Sequence, residues 1–139
     1  MNKQRFAMLG AAIVGALCTF MPWIQVSNIR TIYGFDAVGW YTFSLFLVPI
    51  VLLLLNDRAK PVKNGLLFIT IIPPIIAGII GVNKILQFNN LRSGMTENFF
   101  TQRIGDSIAI GFGLYLVVIA AFVFPLFALL IKEETGTYK

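Results

Sequence analysis

The feature that most constrains this chain of 139 residues is a set of four long apolar runs. No Asp, Glu, Lys or Arg lies in the central part of any run. An apolar stretch of about 18 residues or more with few charges is typical of a membrane-spanning helix. The pattern therefore predicts an all-α membrane protein, a bundle of four transmembrane helices over residues 6–23, 37–55, 65–82 and 107–131.

The composition also favours a membrane location. Hydrophobic residues make up 58% of the chain and charged residues 12%, whereas soluble domains average about 45 to 50% and about 25%. A soluble domain of this length could not bury so much apolar surface in its core. We therefore expect a single membrane domain over residues 1–139, with the lipid bilayer covering the remaining apolar surface.

The net charge of +5 is interpreted as a sign of membrane topology. The bases are scattered among short loops, so no nucleic-acid partner is expected. They are densest at Lys3 and Arg5, in the connector 56–64, and at Lys132. Because short basic loops stay in the cytoplasm, both termini are predicted to lie inside.

The first apolar run follows two bases, a layout that signal peptides and first membrane spans share. An Ala-x-Ala cleavage site is missing, which favours a retained span. Pro22 is expected to end this helix near the membrane surface, because proline has no amide donor. Trp23 follows at the water–lipid boundary, where amphipathic rings prefer to lie.

Two longer polar segments are predicted to form caps on the outer side. In the first cap, apolar and polar residues alternate on both sides of Ser27-Asn28, which favours a short β-hairpin. In the second, apolar residues recur every three to four positions from Ile85 to Met95, which indicates an amphipathic helix. Only this side has enough polar chain to form a shaped surface. The candidate interaction residues there are Trp23, Arg30, Tyr33, Asp36 and Trp40.

An alternative interpretation of these outer residues stays open at this point. In this interpretation Trp23 and Trp40 only anchor the chain at the membrane–water interface. Arg30 and Asp36 are also compatible with a solvated pair that contributes little to stability.

Small residues recur at four-residue spacing in the apolar runs, and such faces let helices approach closely. The stripe in the outer half of the last run is the best candidate for a tight helix contact. The helix-packing candidates are Gly10, Gly15, Ala77, Gly81, Gly105, Ala109 and Gly113.

One cysteine and no histidine exclude several kinds of chemistry. An internal disulfide, a His/Cys metal cluster, a histidine-held haem and a Ser-His-Asp or Cys-His arrangement all need residues that are missing. Asp36 and Asp106 are expected to be the only carboxylates close enough to the outer face of the membrane to share a site, and such carboxylates are more often helix caps. We therefore predict no enzyme activity, with no catalytic residue, cofactor or metal.

Three short motifs carry a resemblance to a known group of proteins. They are Pro22-Trp23, Gly34-Phe35-Asp36 with Gly39-Trp40, and the segment GFGLYL over residues 111–116. With them the chain resembles a widespread group of small bacterial membrane proteins that leave the first span at Pro-Trp and enter the second at Gly-Trp. The resemblance implies four spans in the bacterial cytoplasmic membrane, and it brings no known activity.

Two functions from different classes follow from these observations. The first is a non-catalytic subunit or assembly factor that packs into a homo-oligomer or a larger membrane complex. The second is a small channel or carrier, including one formed by oligomerisation. Carriers of ions or polar solutes usually hold ionisable residues within their spans. The lack of such residues in the centres of the runs favours the first function.

Overall fold

The computed structural model describes residues 3–27, 29–57, 60, 62, 64–95, 103 and 105–131. Its long helices are α1 (Lys3–Cys18), α2 (Gly39–Leu55), α3 (Asn64–Gly94) and α4 (Phe112–Leu130). Its strands are β1 (Pro22–Val26), β2 (Arg30–Tyr33) and β3 (Ile108–Ile110). A 3-10 turn, Gly34–Asp36, connects β2 to α2.

The four long helices form a bundle in which each helix packs against two others. α1 contacts α2 and α4, and α3 contacts the same two helices. Small buried residues, chiefly alanines of α1 and α4, allow close approach of the helix backbones. Phe46 of α2 and Phe124 of α4 are completely buried and fill the space between the helices.

The two ends of the bundle differ in structure. The three strands and the 3-10 turn lie at one end, which we call the sheet end. At the opposite end, called the connector end, the first turn of α1 meets the last turns of α2 and α4. α1 is therefore antiparallel to both of these neighbours.

The prediction of four membrane-spanning helices in an all-α fold is wrong. In the described part of the chain, only α3 and α4 are long and apolar enough to cross a membrane. α1 has 16 residues and α2 has 17, which gives lengths of about 24 and 26 Å. A typical hydrocarbon core is about 30 Å thick. The first apolar run is shortened because the chain leaves the helix after Cys18 and becomes β1 at Pro22.

The sheet accounts for the other departure from an all-α fold. Its strand order is β2-β1-β3, and both pairings are antiparallel. β1 and β2 form a hairpin in the first cap, where the sequence favoured one, and β3 was not expected. Ile24 pairs with Ile32 on one side and with Ile110 on the other, so one face of the sheet is apolar.

The last apolar run begins as a strand because of its local sequence. Residues 108–110 read Ile-Ala-Ile, and β-branched residues fit a half-buried strand well. The fourth helix consequently begins at Phe112, whereas the sequence predicted a start at Ser107. Ala109 thus lies in a strand beside Gln25, and both are exposed on the polar face of the sheet.

The third helix is longer than predicted. The apolar run ends at Val82, but α3 continues without interruption to Gly94 and includes Pro73 and Pro74. The predicted amphipathic helix of the second cap is therefore the outer part of α3. Residues 96–102 and 104 of that cap lie outside the described residues.

Candidate functional site

A groove runs along the side of the bundle between α1 and α4. Its volume is about 370 Å³, and all its lining residues are apolar. Ala11 and Ala120 are buried at its bottom, whereas Phe6, Val14 and Ile119 are exposed at its rim. We call this feature the α1–α4 groove. The groove is therefore an apolar, uncharged surface on the outside of the bundle.

Gly10 distinguishes this groove from the closed contacts elsewhere in the bundle. A Cβ added at Gly15 would lie 2.5 Å from Cζ of Phe46, and one at Gly81 would lie 2.6 Å from Cγ2 of Val118. These two glycines are therefore already covered by neighbouring helices. A Cβ at Gly10 would meet nothing within 4 Å. Gly10 would allow another helix to approach closely, but no other element in the described part of the chain packs against it.

The remaining helix-packing candidates lie in different surroundings. Ala77 is completely buried on α3. Gly113 packs on the chain that enters β1, since a Cβ there would be 2.6 Å from Cβ of Met21. Gly105 lies near Met95, and Ala109 is exposed on the sheet. The predicted stripe of Gly105, Ala109 and Gly113 is therefore not a helix–helix contact, because its first two members precede α4.

The five outer-face candidates separate into one buried residue and four exposed ones. Trp23 is only 1% exposed, and its indole N–H donates to the carbonyl of Cys18 at 3.3 Å. It cannot belong to an interaction surface. Arg30, Tyr33, Asp36 and Trp40 are exposed at the sheet end. A carboxylate oxygen of Asp36 accepts from the backbone N–H of Tyr33 at 3.4 Å, which caps the 3-10 turn.

Gly34 gives the signal that could have identified Trp23 as a buried residue. A Cβ added at Gly34 would lie 2.5 Å from Nε1 of Trp23 and 2.6 Å from its Cε2. The indole therefore fills the space that a side chain at position 34 would need. A glycine that follows β2 directly is compatible with such close packing, but the sequence does not say which residue packs against it.

Four aromatic side chains form a cluster at the sheet end that was not predicted from the sequence. The rings of Phe20 and Phe35 stack with centroids 4.5 Å apart. Trp40 lies edge-on to Phe35 at 4.7 Å, and Phe43 lies 5.4 Å from both Phe20 and Phe35. Phe20 and Trp40 are largely exposed. Trp40 is the one member of the cluster whose residue type is enriched where proteins meet a membrane surface.

A buried polar network closes the connector end, and it too was not predicted from the sequence. Arg5 is 2% exposed and donates through Nε to the carbonyl of Lys60 at 2.5 Å and through Nη1 to that of Leu53 at 3.2 Å. Gln4 donates to the carbonyl of Ala128 at 2.6 Å and accepts from the backbone N–H of Val62 at 3.1 Å. These bonds join α1 to the ends of α2 and α4.

Electrostatics explains why a cation at this position is stabilising. The last carbonyls of a helix lack partners within the helix and carry partial negative charge, so a cation near them is stabilising. Burial lowers the pKa of Arg5, and the nearby Asp57 carboxylate acts in the opposite direction. An arginine stays protonated despite such a shift. Arg5 therefore remains a charged clamp on the end of α2.

The described residues offer little for catalysis or metal binding. No group of three or more His, Cys, Asp or Glu side chains lies close enough among them to hold a metal ion. Cys18 is a free, buried thiol. What the described part of the molecule presents is packing surface, with the α1–α4 groove and a second groove of about 310 Å³ between α3 and α4 on the sides of the bundle.

The class defined by these features is a small helical bundle with two long apolar helices and a three-stranded sheet at one end. Comparisons with protein-family models, with curated proteins and with solved structures found no match. The resemblance to small bacterial membrane proteins stays a prediction.

Proposed function

We propose that this protein is a small integral membrane protein that acts as a non-catalytic subunit or assembly factor of a membrane complex. The single observation that carries the proposal is the α1–α4 groove with its uncovered Gly10. In this proposal a transmembrane helix of another chain lies in the groove. Small residues at a helix surface are the usual means by which helices associate closely in lipid.

The distribution of apolar side chains supports the membrane location. Every long helix exposes large apolar residues, for example Leu17, Leu55, Phe68 and Leu130, while small residues occupy much of the interior. Monomeric soluble proteins rarely expose contiguous apolar patches larger than a few hundred Å². Lipid would solvate this surface without cost. α3 and α4 supply helices long enough to cross the hydrocarbon layer.

The finer proposal is a multi-pass protein of the bacterial cytoplasmic membrane. α3 and α4 would cross in opposite directions, because Gly81 faces Val118 and Gly78 faces Ala121. The bacterial origin rests on the resemblance through Pro22-Trp23 and Gly39-Trp40.

A channel or carrier within one chain finds less support. Met8, Phe46, Leu114 and Phe124 are completely buried and occupy the described interior of the bundle. Buried threonines such as Thr42 and Thr70 donate to carbonyls of their own helices. These features favour a packing role over transport.

The groove is tested by filling it. Gly10→Leu should weaken association with the partner chain at least about tenfold, which corresponds to about 1.4 kcal/mol. The reason is steric, since a leucine side chain would occupy the space that the partner helix needs. The measurement is recovery of the partner with a tagged copy in mild detergent, with a second, differently tagged copy included to detect self-association.

Gly65→Leu is the matched control. Gly65 also lies in a helix with nothing within 4 Å of its Cβ position, but it is outside the groove. Both substitutions replace a helical glycine with a better helix former, so neither should lower stability. The groove has no docking role if Gly10→Leu and Gly65→Leu recover the same partners in the same amounts as the unchanged protein.

A further inference from the structure

A second cavity, separate from the groove, lies at the sheet end. It has a volume of about 150 Å³ and is bounded by the outer part of α3, by β3 and by the first turn of α4. Unlike the α1–α4 groove, its lining is both polar and apolar. The polar members are Asn89, Arg92 and Tyr115, and the apolar members include Phe88, Ile108 and Ile110.

The polar members of the cavity are well suited to an anion. Asn89 and Arg92 are three residues apart on α3 and therefore share one helix face. A guanidinium presents a planar fork of donors that fits phosphate oxygens, and the amide and the phenol can add further donors. Within the described part of the chain, no carboxylate pairs with Arg92. Arg5, in contrast, donates to two backbone carbonyls.

The position of the cavity along α3 indicates the depth of its ligand. If Asn64 lies at one edge of the hydrocarbon layer, Phe88 lies about 36 Å further along the helix axis. The hydrocarbon layer is about 30 Å thick, and the headgroups extend the bilayer to about 40 to 45 Å. Helical side chains lean toward the N-terminus, so Arg92 reaches back toward the level of Phe88. With α3 placed in this way, the cavity lies at the level of the lipid headgroups.

Trp40 of the aromatic cluster gives independent support for this depth. Trp40 and its neighbours Phe20 and Phe35 are also at the sheet end. Trp and Tyr are enriched at the water–lipid boundary, and Tyr115 of the cavity belongs to the same type.

We propose that this cavity binds the phosphate of an anionic lipid headgroup. Arg92 is the charged partner of the phosphate, with Asn89 and Tyr115 as further donors. Phe88 and Ile108 contact the apolar part of the same lipid. The inference rests on the membrane location proposed above.

The experiment uses the full chain in lipid nanodiscs made of phosphatidylcholine with a minor fraction of phosphatidylglycerol. After transfer to detergent, the lipid that remains bound is identified by native mass spectrometry. The unchanged protein should retain phosphatidylglycerol in preference to phosphatidylcholine, and Arg92→Gln should reduce its occupancy at least about tenfold. Arg30→Gln is the matched control, since Arg30 is also an exposed arginine at the sheet end but does not line the cavity.

Three results would overturn the inference: unchanged lipid retention in Arg92→Gln, an equal loss in Arg30→Gln, or complete displacement of the lipid by excess inorganic phosphate. The last result would assign the site to the free ion. Alkaline carbonate extraction of native membranes tests the membrane location separately. If the unchanged protein is released, the proposed function fails; if it is retained while no lipid binds, only the headgroup site fails.

Discussion

Replacing Trp23 by Ala is expected to lower the free energy of unfolding by about 3 to 5 kcal/mol, the usual range for removing a buried large aromatic side chain. The indole is 1% exposed and also donates to the Cys18 carbonyl. Replacing Trp40 by Ala is expected to cost only about 1 kcal/mol, since that ring is 61% exposed and chiefly contacts Phe35. The measurement is thermal unfolding of both variants in the same detergent.

Cys18 provides a second readout for the same pair. It is the single cysteine of the chain and is 2% exposed, next to the bond that Trp23 makes. Its labelling by a membrane-permeable maleimide should be slow in the unchanged protein and in Trp40→Ala, and at least about tenfold faster in Trp23→Ala. Equal stabilities of the two variants would show that Trp23 is not a core residue.

Replacing Arg5 by Ala is expected to lower the free energy of unfolding by about 3 kcal/mol. Each hydrogen bond to a charged group contributes about 1.5 to 3 kcal/mol, and Arg5 makes two to carbonyls at the connector end. Its loss also leaves the end of α2 without a compensating cation. The same unfolding measurement applies.

Lys3→Ala is the control for the arginine. Lys3 is a neighbouring base of α1 but is exposed, so its removal should change stability by less than about 0.5 kcal/mol. The stability of Arg5→Lys should lie between those of Arg5→Ala and Lys3→Ala, because an ammonium cannot reproduce the planar fork of guanidinium donors. If Arg5→Ala and Lys3→Ala are equally stable, Arg5 does not stabilise the connector end in the way described.

The apolar runs located the helices but not their ends. Runs of low polarity do identify buried or lipid-facing segments, and each run overlaps one of the long helices. The predicted helix boundaries were wrong where the local sequence and the tertiary contacts favour different structures. Ile108-Ala109-Ile110 is apolar enough to continue a helix, yet pairing with β1 makes it a strand. Beyond Val82, α3 persists because nothing in the sequence before Gly94 breaks it.

For the candidate sites, the sequence likewise identified some residues but not their surroundings. A tryptophan after Pro22 looks like an interface anchor, and only the contact with Gly34, eleven residues later, reveals that it is buried. Arg5 was interpreted only as a topology signal and Gln4 was not identified, because the partners of both side chains are backbone groups that any sequence could supply. Gly10 was identified as a packing residue, but that it has no neighbour depends on the arrangement of α1 and α4.

The most direct test of the central claim is photo-cross-linking from the groove in native membranes. A photoreactive amino acid is placed at Val14, on the rim of the α1–α4 groove, and in a second variant at Ile72, which is exposed on α3 and lines neither that groove nor the one between α3 and α4. If a partner helix docks in the groove, position 14 should give a discrete protein adduct that Gly10→Leu abolishes, and position 72 should give only lipid adducts. Lipid adducts alone at both positions would contradict a docking role for the groove.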